Sequence, residues 1–299
     1  MGTQLEMLLL HPDKAYLRGV INDIEEEVNR LESRLSRFIP TSEVSRINRL
    51  AAKKPVLIDP EMVSILKIAL KFYDLTDGAF DITVAPLLRK WGFYQKNYQV
   101  VDAETLEKLK QSVGSNRVEL DETRRTIRFM QKGMEIDLGG MGKGYTVDRI
   151  VEILRESDIS AALISFGGSS IYGRGKPEGQ ESWRFSFKVS DHPDFDPVPV
   201  ALRDHGFSLS APYYRQFNQD GKSYGHIFDP VAGQPTEGLL AAAVIDESAL
   251  HAEMLSTAFM VMGWEKTQVF LDQHKNVKAF LALPYLDNYQ LYKINIEES

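Results

Sequence analysis

The spacing of hydrophobic residues predicts a largely helical first quarter of the chain. Residues 13–37 carry apolar side chains three and four positions apart among many acids and arginines, which is typical of a long amphipathic helix. Pro40 breaks this helix, and Thr41-Ser42 can cap a short helical segment over 43–50. Residues 60–77 predict another helix, closed by Gly78.

Alternating apolar and polar residues predict strands in the rest of the chain, interspersed with helices over 103–113, 145–157 and 248–263. One strand, AALISFGGSSIYGRG, breaks at Gly167-Gly168. The other predicted strands are the RVELDETRRTIRF hairpin, MEIDL, WRFSFKVSD, several short strands within 207–245, VKAFLAL and YQLYKI. Strands that follow one another directly favour antiparallel sheets with helices packed on them, so the sequence predicts an α+β fold.

Length and composition restrict the class of protein. A chain of 299 residues with 43% hydrophobic content is expected to form one large domain, or two lobes sharing a core. The net charge of -7 argues against nucleic-acid binding, which needs a basic face. The chain has no cysteine, which excludes disulfides, thiol catalysis and Cys-ligated zinc. No apolar run approaches the roughly 18 residues of a membrane helix.

The segment IDLGGMGKGYTVD, residues 136–148, has the pattern of an anion-binding loop. A strand-like run, glycines and Lys143 lead into a helix, whose N-terminus can bind a phosphate. The Walker A pattern requires Ser or Thr after the lysine, but Gly144 and Tyr145 follow here, so a P-loop nucleoside triphosphatase is not expected. A tight strand–helix turn with a solvated lysine explains the loop equally well.

Two further groups of residues could carry chemistry. Glu253 and Thr257 lie four residues apart on one face of a predicted helix, and such oxygen atoms suit Mg²⁺ or Ca²⁺. A solvated glutamate and a threonine bonded to its own helix would explain that pair without function. His226, followed by Asp229, is a candidate general base at a strand end, although a structural histidine is the commoner case.

Taken together, these stretches resemble the ApbE family of FAD:protein FMN transferases. The resemblance runs from the first residues to about Gly263. The matching stretches, in the family's order, are MGT, LSRFIPTSEVSRIN, DGAFDITVAPLLRKWGF, IDLGGMGKGYTVD, FGGSS, DGKSYGHIFDPVAG and HAEMLSTAFMVMG.

The resemblance implies a two-lobed, T-fold-like α+β architecture in which residues 1–299 form a single domain around an FAD cleft. It also implies Mg²⁺-dependent transfer of FMN from FAD to a threonine hydroxyl of an acceptor protein, with release of AMP. The acceptor signature of the family is absent from this sequence, so the acceptor is expected to be another protein. The start at Met1 leaves no room for a leader, which favours a cytoplasmic protein.

The resemblance also implies roles for individual residues. The metal ligands would be the Glu253 carboxylate, the Thr257 hydroxyl and the Gly142 carbonyl, with Lys143 facing the phosphates. His226 would be the base, with Asp229 orienting it. The residues expected to surround FAD are Met1, Glu43, Asn48, Phe80, Asp81, Asp148, Gly167 and Gly168.

The sequence departs from the family pattern at three places. Glu253 and Gly142 replace the usual aspartate and alanine. Ala211-Pro212 replaces a Gly-Asp pair, which predicts a reshaped loop or a changed acceptor specificity, because proline fixes φ and lacks an N–H group. These departures keep two alternatives open: a Mg²⁺-dependent pyrophosphatase that converts FAD to FMN and AMP, and a non-catalytic FAD-binding protein.

Overall fold

The computed structural model describes residues 3–192, 195–286 and 288–296. Within these residues the α-helices are α1 (Lys14–Leu35), α2 (Glu43–Leu50), α3 (Pro60–Leu75), α4 (Ala85–Lys90), α5 (Ala103–Lys110), α6 (Gly142–Glu156) and α7 (Ala249–Gln273). The first strands are β1 (Leu5–Leu10), β2 (Val56–Leu57), β3 (Val118–Asp121), β4 (Thr126–Phe129), β5 (Ala161–Phe166), β6 (Ser170–Arg174), β7 (Trp183–Phe187) and β8 (Val198–Leu202). They are followed by β9 (His205–Ser210), β10 (Gln216–Gln219), β11 (Lys222–Gly225), β12 (Phe228–Asp229), β13 (Gln234–Pro235), β14 (Ala241–Asp246), β15 (Lys278–Tyr285) and β16 (Asn288–Ile294).

The largest sheet has the order β1-β5-β6-β9-β14-β15-β16, and its neighbouring strands are antiparallel. β5 and β6 form a hairpin in which Phe166 pairs with Ser170. Gly167 and Gly168 form its turn with φ angles of 66° and 67°, which glycine adopts without a steric penalty. The predicted α+β fold with largely antiparallel sheets is confirmed.

This sheet is covered on both faces. Ser208 on β9 points toward α7, where the Ser256 hydroxyl donates to it at 3.2 Å. The preceding residue, Phe207, points to the opposite face because side chains alternate along a strand. There its ring lies 5.2 Å from Phe185 and 5.3 Å from Phe187 of β7, between ring centroids. The interior strand β14, next to β9, is buried along its whole length.

The chain divides into two compact units. Unit 1 comprises Met1–Glu32, Gly139–Ala211 and Gly238–Ser299, and unit 2 comprises Ser33–Leu138 and Pro212–Glu237. In unit 1, α1, α6 and β5 share a core that includes Ile24, Ile150 and Ile164. In unit 2, a second core surrounds Trp91 and Phe93. That residues 1–299 form a single functional domain with two lobes stays a prediction.

Several sequence predictions need correction. The segment 134–138, MEIDL, is not a strand: the Ile136 backbone pairs with the Asn48 side chain, and the Asp137 N–H donates to the Ile82 carbonyl at 2.7 Å. These side-chain and loop partners replace a strand ladder. Helix α6 begins at Gly142, three residues earlier than expected, and β1 was not predicted.

The last long helix also differs from its prediction. Helical structure was expected to end at Gly263, where φ is 70° and ψ is -170°. The backbone does leave the helical conformation there, but α7 resumes beyond this kink and ends at Gln273. Among the described residues, no helix is both long enough and apolar enough to cross a membrane.

Candidate functional site

The N-terminus of α6 is capped by a carboxylate from another helix. The residue before α6, Met141, has an apolar side chain, so the first-turn N–H groups need partners from elsewhere. The Gly144 N–H donates to Glu253 Oε2 of α7 at 2.6 Å. A carboxylate at this position is also favoured by the positive end of the helix dipole. The glycine loop therefore leads directly to the acidic residue predicted as a metal ligand.

Glu253 is paired with the lysine of the same loop. Its side chain is buried, and Oε1 accepts from the Lys143 ammonium and, at 3.4 Å, from the Ser170 hydroxyl. A buried carboxylate requires such a cation or hydrogen-bond donors. The Lys143 side chain retains 23% exposure, so its ammonium is not sealed inside the protein. The structure thus brings together Lys143 and Glu253, which lie 110 residues apart.

The capping is reciprocal, because Asp148 of α6 caps the N-terminus of α7. Its carboxylate accepts from the N–H groups of Ala249 at 2.8 Å and Leu250 at 3.1 Å, and from the Ser248 hydroxyl at 2.6 Å. Burial raises the pKa of the Asp148 carboxyl, and these hydrogen bonds oppose that rise. Asp148 was predicted to bind FAD, and in this structure both its oxygens are engaged with α7.

Gly144 allows the two helices to approach this closely. A Cβ atom there would lie 2.5 Å from the Ala249 carbonyl oxygen and 2.7 Å from the Leu250 Cα. A backbone contact that short is not tolerated, so a larger residue would push α6 away from α7. At Gly142, by contrast, the described residues leave the Cβ position open. The glycine after the lysine has a packing function that the loop pattern alone did not reveal.

Thr257 lies one turn beyond Glu253 in a group of hydroxyls. Its Oγ1 donates to the Glu253 carbonyl at 3.1 Å and lies 3.3 Å from Ser210 Oγ. Ser210 Oγ is in turn 2.9 Å from Ser256 Oγ. The sequence analysis did not identify Ser210 or Ser256. The alternating serines of FSLS on β9 were the available signal, since one strand face carries both.

The three predicted metal ligands supply oxygen atoms only. They are the Glu253 carboxylate, the Thr257 hydroxyl and the carbonyl of Gly142, which accepts from Thr146 Oγ1 at 2.8 Å. The described residues contain no group of three or more His, Asp or Glu side chains that could hold a metal. A site with one carboxylate fits Mg²⁺, which keeps waters and substrate phosphates among its ligands. It does not fit a cation held by the protein alone.

His226 lies in unit 2, directly after β11. Its ring is partly buried, and Nδ1 lies 3.1 Å from the Arg215 carbonyl oxygen. Asp229 was expected to orient this ring. Instead, Asp229 Oδ1 accepts from the N–H groups of Val231 at 2.8 Å and Ala232 at 3.0 Å, so it caps its own turn. In its place, the backbone of Arg215 provides a contact to the ring.

Two residues predicted to bind FAD, both in unit 2, have structural partners. The Glu43 carboxylate accepts from the Arg34 guanidinium at 2.9 Å and from the Asp59 N–H at 2.8 Å. The Asn48 amide accepts from the Ile136 N–H at 2.8 Å and donates to the Ile136 carbonyl at 2.9 Å. Asn48 thereby holds the extended segment that leads to the glycine loop.

The other two predicted residues of unit 2 are buried. Phe80 packs with its ring centroid 6.5 Å from that of Phe72. Asp81 accepts from the hydroxyl and N–H of Thr83, both at 2.7 Å, and from the Ser115 hydroxyl at 2.6 Å. Burial raises the pKa of the Asp81 carboxyl, against the effect of these hydrogen bonds. Both residues therefore stabilise unit 2.

The remaining predicted FAD residues are at the start of the chain and in the β5–β6 turn. Gly167 is closely approached by Thr3, whose hydroxyl oxygen would lie 2.8 Å from an added Cβ, whereas the described residues leave Gly168 open. Met1 lies outside the described residues. Of the two glycines in this turn that were predicted to contact FAD, Gly168 therefore has more space around it.

A polar cluster in unit 2, which includes Asp137, was missed by the sequence analysis. The Tyr94 hydroxyl donates to Asp137 Oδ2 at 2.5 Å, and the Arg37 guanidinium donates to the Tyr94 oxygen at 2.7 Å. Burial raises the pKa of Tyr94, as does the nearby charge of Asp137. Arg37 lies 57 residues and Asp137 lies 43 residues from Tyr94 along the chain, so their sequence spacing gave no signal.

Comparison with known proteins identifies the family that this fold and these residues define. The ApbE family model matches residues 1–281. The chain is 31% identical to an FAD:protein FMN transferase of Klebsiella pneumoniae (strain 342), over 90% of this chain and 78% of the relative. It is 27% identical to one of Chlamydia trachomatis serovar D, over 87% and 81% of the two chains. The chain belongs to the ApbE family.

Solved structures agree with this assignment. The ApbE protein from Thermotoga maritima is 30% identical and superposes with a TM-score of 0.85, covering 94% of this chain and 91% of that chain. The flavin transferase ApbE from Vibrio cholerae superposes with a TM-score of 0.87 at 24% identity, covering 98% and 94%, which shows the common fold.

Proposed function

We propose that this protein is an FAD:protein FMN transferase that moves FMN from FAD to a threonine hydroxyl of another protein. The observation that carries the proposal is the buried contact of Glu253 with Lys143 and the α6 N-terminus, in a chain 31% identical to a protein of that activity. A helix N-terminus and a lysine suit the diphosphate of FAD.

The reaction exchanges one phosphorus–oxygen bond for another. The threonine oxygen bonds to the phosphorus of the FMN half, and the bond from that phosphorus to the bridging oxygen breaks. AMP leaves with the bridging oxygen, and the threonine proton goes to a base. Lys143 offsets negative charge on the phosphate oxygens, an electrostatic effect that contributes most where charge develops in the transition state.

The proposed base is His226. The Arg215 carbonyl can only accept a hydrogen bond, so Nδ1 carries the proton of the neutral ring, and Nε2 is the nitrogen that would accept the threonine proton. Magnesium would be held by the Glu253 carboxylate, the Thr257 hydroxyl and the Gly142 carbonyl. When bound, it supplies positive charge to the phosphate oxygens.

The test incubates the protein with FAD and Mg²⁺, with and without a peptide containing the acceptor threonine, and quantifies AMP and peptide-bound flavin. We expect equimolar AMP and flavinylated peptide, both lost with excess EDTA. A peptide with valine in place of the threonine is the control. AMP formed equally with both peptides, without labelling, would instead establish FAD hydrolysis, to which the Ala211-Pro212 loop could be adapted. Bound FAD without either product would contradict any catalytic role.

A further inference from the structure

A chain of hydroxyl groups between β9 and α7 ends at Thr257, one of the proposed metal ligands. Ser208 and Ser210 point toward α7 from one face of β9, because side chains alternate along a strand. Ser210 Oγ lies 2.9 Å from Ser256 Oγ and 3.3 Å from Thr257 Oγ1. All four residues belong to unit 1, and Ser208 and Ser256 are buried. The group is therefore largely protected from water that would compete for its hydrogen bonds.

The directions of these hydrogen bonds follow from the fact that each hydroxyl has one proton. The Ser256 hydroxyl donates to the Glu253 carbonyl at 3.0 Å and to Ser208 at 3.2 Å, so its proton is not available to Ser210. Ser210 therefore donates to Ser256, and in its contact with Thr257 the threonine is the donor. The second acceptor of the Thr257 proton is the Glu253 carbonyl at 3.1 Å.

This arrangement suits a threonine that binds a cation, because a ligating hydroxyl must offer a lone pair and not its proton. The Glu253 carbonyl and Ser210 Oγ both take up the Thr257 proton, so the lone pairs of Oγ1 remain for a metal ion. A bond to the carbonyl one turn back is available to any threonine in a helix. Ser210 adds a contact from the sheet, which fixes the direction of the hydroxyl relative to β9.

We propose that Ser210 is a positioning residue of the metal site, whose hydroxyl accepts the Thr257 proton and so leaves the threonine lone pairs for the metal. The inference rests on the proposed function for the role of Thr257 as a ligand. Ser210 acts through Thr257 and is given no contact with the metal or with FAD. Residues that orient metal ligands typically contribute 10- to 100-fold to metal affinity.

The first readout is Mn²⁺ affinity, measured by calorimetry in the presence of FAD, with the heat of Mn²⁺ binding to FAD alone subtracted. Ser210→Ala removes the acceptor, and Thr257 keeps only its helix carbonyl, so Kd for Mn²⁺ should rise about tenfold. Ser210→Thr keeps the hydroxyl and should recover most of the affinity. Ser208→Ala is the matched control, since it removes a hydroxyl of the same strand face that contacts Ser256. It should match the wild type.

The second readout tests whether Ser210 acts through Thr257. In a double-mutant cycle, Ser210→Ala should cause no further loss of Mn²⁺ affinity once Thr257→Ala is present, because the group that it positions is gone. In transfer of FMN, the Mg²⁺ concentration for half-maximal activity should rise about tenfold in Ser210→Ala, with kcat at saturating Mg²⁺ nearly unchanged. Thermal melting confirms that each variant is folded. Ser210→Cys, which keeps the shape of serine with a weaker hydrogen-bonding group, replaces Ser210→Ala if that variant does not fold.

The two proposals fail in different ways. Unchanged Mn²⁺ affinity in folded Ser210→Ala would overturn the positioning role, as would equal losses in Ser210→Ala and Ser208→Ala, which would indicate general loosening of the sheet against α7. Additive losses in the double variant would also overturn it. A wild-type protein that binds Mn²⁺ with FAD and shows the expected cycle, but transfers no FMN, would refute the proposed function while leaving this inference intact.

Discussion

Asp81 in unit 2 and Glu253 in unit 1 are both buried carboxylates, yet their partners differ in kind. Asp81 is surrounded by neutral donors from Thr83 and Ser115, which are parts of the backbone and short side chains. Glu253 is held by the ammonium of Lys143 and by the N–H of Gly144 at a helix terminus. The first carboxylate has fixed partners and the second has a flexible, charged one.

This difference indicates which carboxylate can take part in chemistry. Donors built into the chain cannot leave Asp81 without unfolding the segment, so that residue contributes to stability. A lysine side chain could move from Glu253 to another anion, such as a phosphate, if a metal ion were bound by the carboxylate. Burial alone therefore did not distinguish the two residues; the nature of their partners did.

The largest expected effect is the loss of FMN transfer when Glu253 is replaced. Glu253→Ala removes the only carboxylate of the proposed metal site, and transfer of FMN should fall on the order of 100- to 1,000-fold, the range seen when one charge-stabilising group is lost. Binding of Mn²⁺, followed by calorimetry in the presence of FAD, should fall in parallel. Glu253→Asp, which restores the usual residue of the family, should retain most of the activity.

Glu265→Ala provides the matched control, since Glu265 is exposed on the same helix. It should leave both metal binding and transfer unchanged. If Glu253→Ala bound Mn²⁺ as tightly as the wild type, Glu253 would not be a ligand and the contrast with Asp81 would be lost.

The opposite outcome is expected for Asp81. Asp81→Ala leaves four buried donor groups without an acceptor, so the free energy of unfolding should decrease by about 2–4 kcal/mol in urea denaturation. Mn²⁺ affinity of the folded protein should not change. Asp74→Ala, at an exposed position on α3, should be close to neutral. A folded Asp81→Ala protein of normal stability that has lost FAD binding would instead establish the ligand role first predicted for Asp81.

The helices were largely predictable because their signals are local. Ser42 caps α2 by accepting from the Ser45 N–H at 3.0 Å, and Pro60 at the start of α3 follows the Asp59 cap. Strand β1 was missed because it depends on pairing with β5, about 150 residues away. MEIDL was wrongly predicted to be a strand, because the partners of its backbone, Asn48 and Ile82, cannot be deduced from the spacing of hydrophobic residues.

The residues of the candidate site could be predicted from the sequence, but most of the contacts between them could not. The motifs identified Lys143, Glu253 and Thr257, and the structure places the first two in contact. The reciprocal capping by Glu253 and Asp148 joins helices about 100 residues apart, so no local pattern contains it. For the same reason, the sequence could not show that Asp148 is engaged in capping α7.

A smaller effect, on stability, is expected at Gly144, whose N–H donates to Glu253. Gly144→Ala places a methyl group against the Ala249 carbonyl, and overpacking of this kind typically costs about 1–3 kcal/mol. Mn²⁺ affinity should also fall, because Glu253 moves with α7. Gly142→Ala is the control: its Cβ position is open, so the free energy of unfolding should change by less than about 1 kcal/mol, in the stabilising direction. Equal stabilities for the two variants would contradict the close helix contact.

The smallest expected effect is on the pH dependence of the free energy of unfolding, which should differ between buried and exposed carboxyl groups. Because burial raises the pKa of Asp81 above its ordinary value of 3.8, the folded protein holds this proton more tightly than the unfolded chain. Its contribution to stability is therefore complete below about pH 4 and is lost as pH rises through the folded-state pKa, by at most about 1.4 kcal/mol per pH unit. In urea denaturation from pH 4 upward, the free energy of unfolding of the wild type should decrease relative to that of Asp81→Asn.

Asp102 should behave in the opposite way. Hydrogen bonds from Thr105 lower the pKa of this exposed cap of α5, so its contribution is present above the ordinary value of 3.8 and is lost as pH falls. The wild type should therefore gain stability relative to Asp102→Asn as pH rises from 3 to 5. If the difference in unfolding free energy between wild type and variant changed with pH in the same direction for Asp81 and Asp102, the hydrogen bonds around Asp81 would affect its pKa more than burial does. The contrast with Glu253 would then rest on the mobility of Lys143 alone.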